Sequence, residues 1–121
     1  MKQQKLERVT KALEISWSLK SSTKWKKTNP ALGQCGVTAL VAQDYLGGEI
    51  IKTWVEKPGG IALWHYYNLV ENQSIDFTIS QFDEAIDYDN IPSSREEAFS
   101  DTNITQYAHL KSAVQTELDN A

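Results

Sequence analysis

The chain has one cysteine and two histidines, so any thiol chemistry must be built around Cys35. It stands in the segment Asn29-Pro30-Ala31-Leu32-Gly33-Gln34-Cys35-Gly36-Val37-Thr38. There an irregular stretch containing Pro and Gly runs into an apolar stretch that reads as a helix. A thiol in the first turn of a helix meets the positive end of the helix dipole, which favours the thiolate. The N–H groups of that turn have no intrahelical partner and can hold an oxygen that gains charge in acyl transfer. Gln34 offers a second donor to the same oxygen. His65 lies in the strand-like run Trp64-His65-Tyr66-Tyr67-Asn68. An imidazole beside a thiol takes its proton and returns it to a leaving group. Asp76, on the following segment, is the best candidate to orient that imidazole.

Each of these residues also has a structural reading. A lone cysteine is commonly a small buried hydrophobe, and a histidine on an apolar strand is commonly a satisfied core residue. An acid at a strand edge discourages edge-to-edge pairing. Trp64, Tyr66 and Tyr67, which bracket His65, either wall a cleft or fill a core. His109, between Ala108 and Leu110, reads as a surface or packing residue. The spacing of Cys35, His65 and His109 does not suggest a zinc site, and nothing matches a phosphate-binding loop or dinucleotide fingerprint. No metal or cofactor is expected.

The elements that must position these groups can be read from periodicity. Leu6, Val9, Leu13 and Trp17 predict an amphipathic helix from about Gln3 to Leu19. Ser21-Ser22-Thr23 ends it, and a polar connector from Lys24 to Pro30 leads toward the cysteine. Trp25, flanked by lysines in that connector, is expected to fold back as a lid over the site, because an indole needs apolar surface to cover. Gly33 reads as the N-cap of a nearly all-apolar helix, Cys35 to Leu46, that Gly47-Gly48 closes. Strands follow at Glu49 to Glu56 and, after the turn Pro58-Gly59-Gly60, at Ile61 to Val70. The second strand is apolar on both faces, so both should be covered. A third strand is expected from Ile75 to Ile79. With Glu71-Asn72 at the centre of the turn, Asp76 falls diagonal to His65 on one face; with Asn72-Gln73 central, it falls too far away. Beyond Ser80 the pattern is loop-like until Ser94-Arg95-Glu96-Glu97, a capping box. Asn103 then opens a final helix striped by Ile104, Tyr107, Leu110, Val114 and Leu118.

These elements describe one α+β domain over residues 1–121. The formal net charge is -4, which disfavours a nucleic-acid partner. The charge is uneven, with Lys2, Lys5, Arg8, Lys11 and the cluster Lys20, Lys24, Lys26 and Lys27 all ahead of the cysteine and most carboxylates after it. That cluster is either a solvated face or a basic rim that recruits an anionic substrate. The single cysteine excludes an intrachain disulfide. The first residues lack the apolar run of a secretory signal, and no stretch is long and apolar enough to span a membrane. The expectation is a cytoplasmic protein with no membrane partner and an undetermined oligomeric state.

Gly33-Gln34-Cys35 resembles the nucleophile motif of transglutaminases. Trp64-His65-Tyr66-Tyr67-Asn68 followed by Ile75-Asp76 resembles the histidine and acid strands of the same papain-like superfamily. Taken together, Asn-Pro-x-x-Gly-Gln-Cys, the Gly-Gly after the helix, the His-Tyr pair and Asp-x-Thr are most similar to the small bacterial YunG-like family, from about Trp17 to Phe82. The resemblance implies a papain-like or transglutaminase-like core, with N-terminal helices packed on a small antiparallel sheet and a C-terminal helix. It also implies acyl transfer through a thioester, with Cys35 as nucleophile, His65 as acid/base and Asp76 as orienter. The substrate would be a small-molecule, peptide or protein carbonyl: an amide, isopeptide or ester, hydrolysed or transferred. Trp25, Trp64 and Tyr67 would line the cleft. The competing expectation is an inactive papain-like binding module that uses the basic N-terminal surface.

Overall fold

The apolar stripe of Leu6, Val9 and Leu13 folds as helix α1, Gln3–Ser16, three residues short of the end its pattern predicts. Serine hydroxyls explain the early stop by satisfying the backbone in place of helical bonds. Ser21 Oγ donates to the Ser18 carbonyl and accepts the Ser18 N–H, both at 3.0 Å, while Ser18 Oγ accepts the Lys20 N–H at 3.1 Å. Trp17, just past the helix, sends its indole N–H 2.9 Å to Thr38 Oγ1 and so ties this end of α1 to the next helix. The computed structural model describes residues 3–57 and 59–120; Pro58 of the expected Pro-Gly-Gly turn lies outside them.

Helix α2, Cys35–Leu46, has the bounds that its composition predicts. Its N-cap is Gln34 rather than Gly33, and the Gln34 side chain makes no capping bond. Gly33 instead turns the chain into the helix with φ 75°, a left-handed conformation that glycine adopts without penalty. Every residue from Cys35 to Ala42 is buried, as expected for a helix apolar around most of its circumference.

The sheet has four strands in the order β3-β2-β1-β4, all paired antiparallel. Strands β1, Glu49–Lys57, and β2, Ile61–Val70, form its long central hairpin. Strand β3 is Gln73–Ile75, shorter and earlier than the expected Ile75 to Ile79. Its turn is centred on Glu71 and Asn72, both left-handed at φ 51° and 67°, the backbone that a two-residue hairpin requires. Past Asp76 the chain bends into a single 3-10 turn, Ile79–Gln81. Strand β4, Ile91–Pro92, adds to the free side of β1 within a stretch whose composition reads as loop; proline is tolerated there because the edge needs no further donor. Helices α3, Arg95–Phe99, and α4, Ile104–Asp119, start where the caps predict. Ser94 Oγ accepts the Glu97 N–H at 3.1 Å, and Asn103 Oδ1 accepts the Gln106 N–H at 2.9 Å.

The architecture is therefore α+β, with α2 as its centre. One face of α2 joins α1 and α4 around Val9, Leu13, Val41, Leu110 and Val114. The other packs on the sheet through Leu40, Ile50 and Tyr66. Each fully buried aliphatic side chain here contributes roughly 1.5–3 kcal/mol. Both faces of β2 are covered from His65 to Asn68, while Ala62 and Trp64 in its first half are exposed. Tyr66 and Asn68 face α2, and Asn68 Nδ2 donates 3.0 Å to the Ala39 carbonyl. His65 and Tyr67 face the segment after β3, where the His65 ring meets Phe82 and the Tyr67 ring meets Tyr88 at 4.9 and 5.0 Å between centroids. No helix among the described residues is long and apolar enough to cross a membrane.

Candidate functional site

The backbone of β2 decides how the cysteine and the histidine meet. Val70 and Gln73 flank the two-residue turn and pair directly, so the Val70 N–H points toward β3. The two-residue period of a strand turns the Tyr66 N–H the same way. Strand β3 ends at Ile75, opposite Asn68; beyond that point, among the described residues, no strand lies beside this edge of β2. Cys35, at the first turn of α2, sits at the vacant edge, with the Tyr66 N–H facing its sulfur. Asp76, the first residue past β3, borders the same gap from the other face.

Asp76 holds His65. Its Oδ2 lies 2.7 Å from His65 Nε2 and accepts the Tyr88 hydroxyl, also at 2.7 Å. Its Oδ1 accepts the Thr78 N–H at 3.1 Å and the Thr78 hydroxyl at 3.3 Å. A carboxylate already taking these donors accepts from an Nε2–H, which leaves Nδ1 as the basic nitrogen. That Nδ1 is buried and has no hydrogen-bond partner, although buried polar atoms are nearly always paired. The turn alternative that places Asp76 diagonal to His65 is the one the chain adopts.

The thiol points elsewhere. Cys35 Sγ donates to Asp101 Oδ2 across 3.4 Å, and the Gly36 N–H donates to the same oxygen at 3.0 Å. Asp101 follows α3 and is exposed as a residue, with this oxygen turned in against the start of α2. Burial and the neighbouring Asp101 carboxylate push the Cys35 thiol well above its ordinary value, and the Tyr66 N–H only partly opposes them. This reverses the direction that the helix dipole alone predicts: with the sulfur sealed from water, desolvation of the anion outweighs the dipole. Shelter from water raises the Asp101 carboxyl in turn, while Cys35, the Gly36 amide, Lys24 and His65 draw it back.

The remaining expected residues are spread around this centre. Gln34 is fully buried, but its Nε2 is turned to the Ser18 carbonyl at 3.4 Å and its Oε1 is unpartnered. Tyr67 lies beside His65, its ring stacked at 5.9 Å, and its hydroxyl donates 2.7 Å to Asn90 Oδ1. Trp64 is on the opposite face, 39% exposed, edge-on to Trp54 and under the Lys52 ammonium. Trp25 does fold back, but it packs half-buried against the α1–α2–α4 core, with its indole N–H buried and unpartnered. A hollow of about 180 Å³ lined by Tyr67, Ser74, Asp76, Ile79 and Tyr88 lies next to the carboxylate. Among the described residues, no group of three or more His, Cys, Asp or Glu side chains is placed to hold a metal ion.

Asp101 and Tyr88 carry no signal of their own in the sequence, and Thr78 appears there only as the threonine of the Asp-x-Thr motif, without a role. Tyr88 and Asp101 lie in acidic, turn-like stretches with no periodicity to give them a face. Gly36 was the available signal for Asp101: a Cβ there would lie 2.6 Å from its Oδ2, so glycine permits the carboxylate to come in.

Residues 5–119 match the sequence pattern of the family described as YunG protein. The chain is 49% identical over 115 residues, covering 95% of its own length and 96% of the relative's, to the Bacillus subtilis (strain 168) protein named "Uncharacterized protein YunG". No solved structure matches.

Proposed function

The chain belongs to the YunG protein family, and on that footing we propose that it is a thiol enzyme that transfers or hydrolyses acyl groups from a papain-like Cys35-His65-Asp76 arrangement. One observation carries this reading. His65 is fixed through Nε2 by Asp76, while its buried Nδ1 is left without a partner, on the strand whose vacant edge receives the only cysteine. A buried lone pair with no donor is costly to keep, and an oriented, unspent base is what a thiol nucleophile needs.

The steps follow from that placement. The Cys35 thiol turns from Asp101 and passes its proton to His65 Nδ1. The sulfur bonds to the substrate carbonyl carbon while the carbonyl π pair moves onto oxygen, which the amides at the start of α2 hold. Collapse expels the amine or alcohol with the proton from His65, leaving a thioester on Cys35. Water or an acceptor amine then attacks the thioester, giving its proton to His65 and returning the thiol. Asp76 keeps the imidazole in one tautomer and supports its cation.

The buried, protonated thiol favours a second reading, in which the fold serves as a binding module and the exposed Lys20, Lys24, Lys26 and Lys27 form its contact surface. Incubation with p-nitrophenyl acetate and a panel of peptide thioesters, followed by intact mass, separates the two. The enzyme reading expects an acyl adduct that forms on Cys35, turns over, disappears in Cys35→Ala and slows in His65→Ala. Adduct formation at the rate of a free thiol, unchanged in His65→Ala, would give the binding module the field.

A further inference from the structure

The Asp101 side chain caps neither α3 nor α4: Ser94 and Asn103 cap their N-termini, and only the Asp101 backbone N–H, 3.1 Å from the Ala98 carbonyl, serves the end of α3. Its inward oxygen instead lies between the two groups that the chemistry of Cys35 would use, the thiol at 3.4 Å and the Gly36 amide at 3.0 Å. A substrate carbonyl oxygen would occupy this same place, within reach of a first-turn N–H and beside the attacking sulfur. Glycine at position 36 leaves room for it, since a Cβ there would stand 2.6 Å from Asp101 Oδ2 and 2.8 Å from Asp101 Cβ. Meanwhile His65 Nδ1, the proton acceptor, is fully buried and unpartnered.

We propose that Asp101 is the resting occupant of the carbonyl-oxygen position, a latch that holds the Cys35 thiol and the Gly36 amide until a substrate carbonyl replaces it. The inference rests on the thiol-enzyme reading above and names how that site is kept closed. The latch is carried on the turn between α3 and α4 and is exposed on its outer side, so it can leave without unpacking the core. A carboxylate there disfavours the thiolate by like charge and by accepting the S–H bond. Lys24 and His65 are the cationic or potentially cationic groups that act on it, and Tyr66 feels its charge from β2.

The test is the second-order rate of Cys35 alkylation by iodoacetamide across pH, in wild type, Asp101→Asn and Asp101→Ala, with thermal melting to show that each variant is folded. The rate at neutral pH should rise by up to about tenfold for each unit by which the thiol midpoint falls, the gain in thiolate being partly offset by its lower nucleophilicity, and more in Asp101→Ala than in Asp101→Asn, whose amide oxygen still accepts the Gly36 N–H. An unchanged or slower rate in the folded variants overturns the latch; if Asp101→Ala does not fold, Asp101→Asn alone decides. Adding His65→Ala to the opened variant separates the two ideas. A profile that moves with Asp101 but not with His65 keeps only Asp101's hold on the thiol; it removes the acyl-transfer reading and, with it, the carbonyl-oxygen role of the latch. A profile that moves with His65 but never with Asp101 removes the latch alone.

Discussion

His65 Nε2 and Asp76 Oδ2 stand 2.7 Å apart, the histidine side chain fully buried and the aspartate side chain 6% exposed. The same carboxylate takes the Tyr88 hydroxyl and two donors from Thr78, so it anchors the segment after β3 as well as the imidazole. Asp76→Ala is expected to cost about 3 kcal/mol, because it strips a charged acceptor from buried donors that then have no partner. Urea unfolding should show a lower midpoint at an unchanged slope. A loss below about 0.5 kcal/mol, the range of an ordinary surface change, would mean that water or a neighbour replaces the carboxylate.

Much of this arrangement was legible because it rests on local signals. The apolar run after Cys35, the Gly47-Gly48 stop and the alternation around His65 each specify an element by periodicity and turn chemistry, and the His65–Asp76 pairing followed once the turn was centred on Glu71-Asn72. What the chain does after Asp76 depended on long-range contacts. Ile75 to Ile79 is as β-branched as a strand, yet Asp76 leaves the ladder to bind His65, and Thr78 turns back to bond Asp76. Asp101 lies 66 positions from Cys35, and no spacing rule connects them. The thiol titrates in the direction opposite to the one the dipole predicts for the same reason: the helix dipole is visible in sequence, whereas burial and a distant carboxylate are not.

Gly36 is a second point where tertiary packing dictates residue type. An added Cβ would meet Asp101 and also the Ala98 carbonyl at 2.9 Å, a backbone atom that moves only with α3. Gly36→Ala should therefore destabilise the fold by roughly 1–3 kcal/mol, as overpacking does, even though alanine is the better helix former. Chemical denaturation reads the outcome, and a net gain in stability would show that α3 yields easily.

The hairpin between β2 and β3 sets the register that brings Asp76 to His65. Asn72 has φ 67°, a conformation asparagine tolerates and a β-branched residue does not. Asn72→Val should cost about 1–2 kcal/mol and loosen β3, raising amide hydrogen exchange at Gln73 and Ile75. Asn72→Gly should leave that exchange nearly as it is. Equal exchange in the two variants would place control of the register outside the turn.

The thiol links site chemistry to stability. Burial first, and then the Asp101 carboxylate, hold the folded-state value of Cys35 above its ordinary one, so the folded chain keeps its proton where an unfolded thiol loses it. Between those two values the native state binds more protons than the unfolded state, and stability falls as pH rises. This contribution is fully present below the ordinary thiol value of about 8.5 and is lost progressively above it. Tyr66, Tyr67 and Tyr88 are also pushed up, mainly by burial, but from a higher starting point near 10, so the window between the two belongs to the cysteine. Melting temperature measured through that window should decline in wild type and decline less in Cys35→Ala, the tyrosine contributions being common to both. The same titration observed by alkylation should have a wild-type midpoint above the ordinary thiol value. Parallel melting curves, together with a midpoint at or below that value, would show that neither burial nor Asp101 holds the proton on the resting thiol.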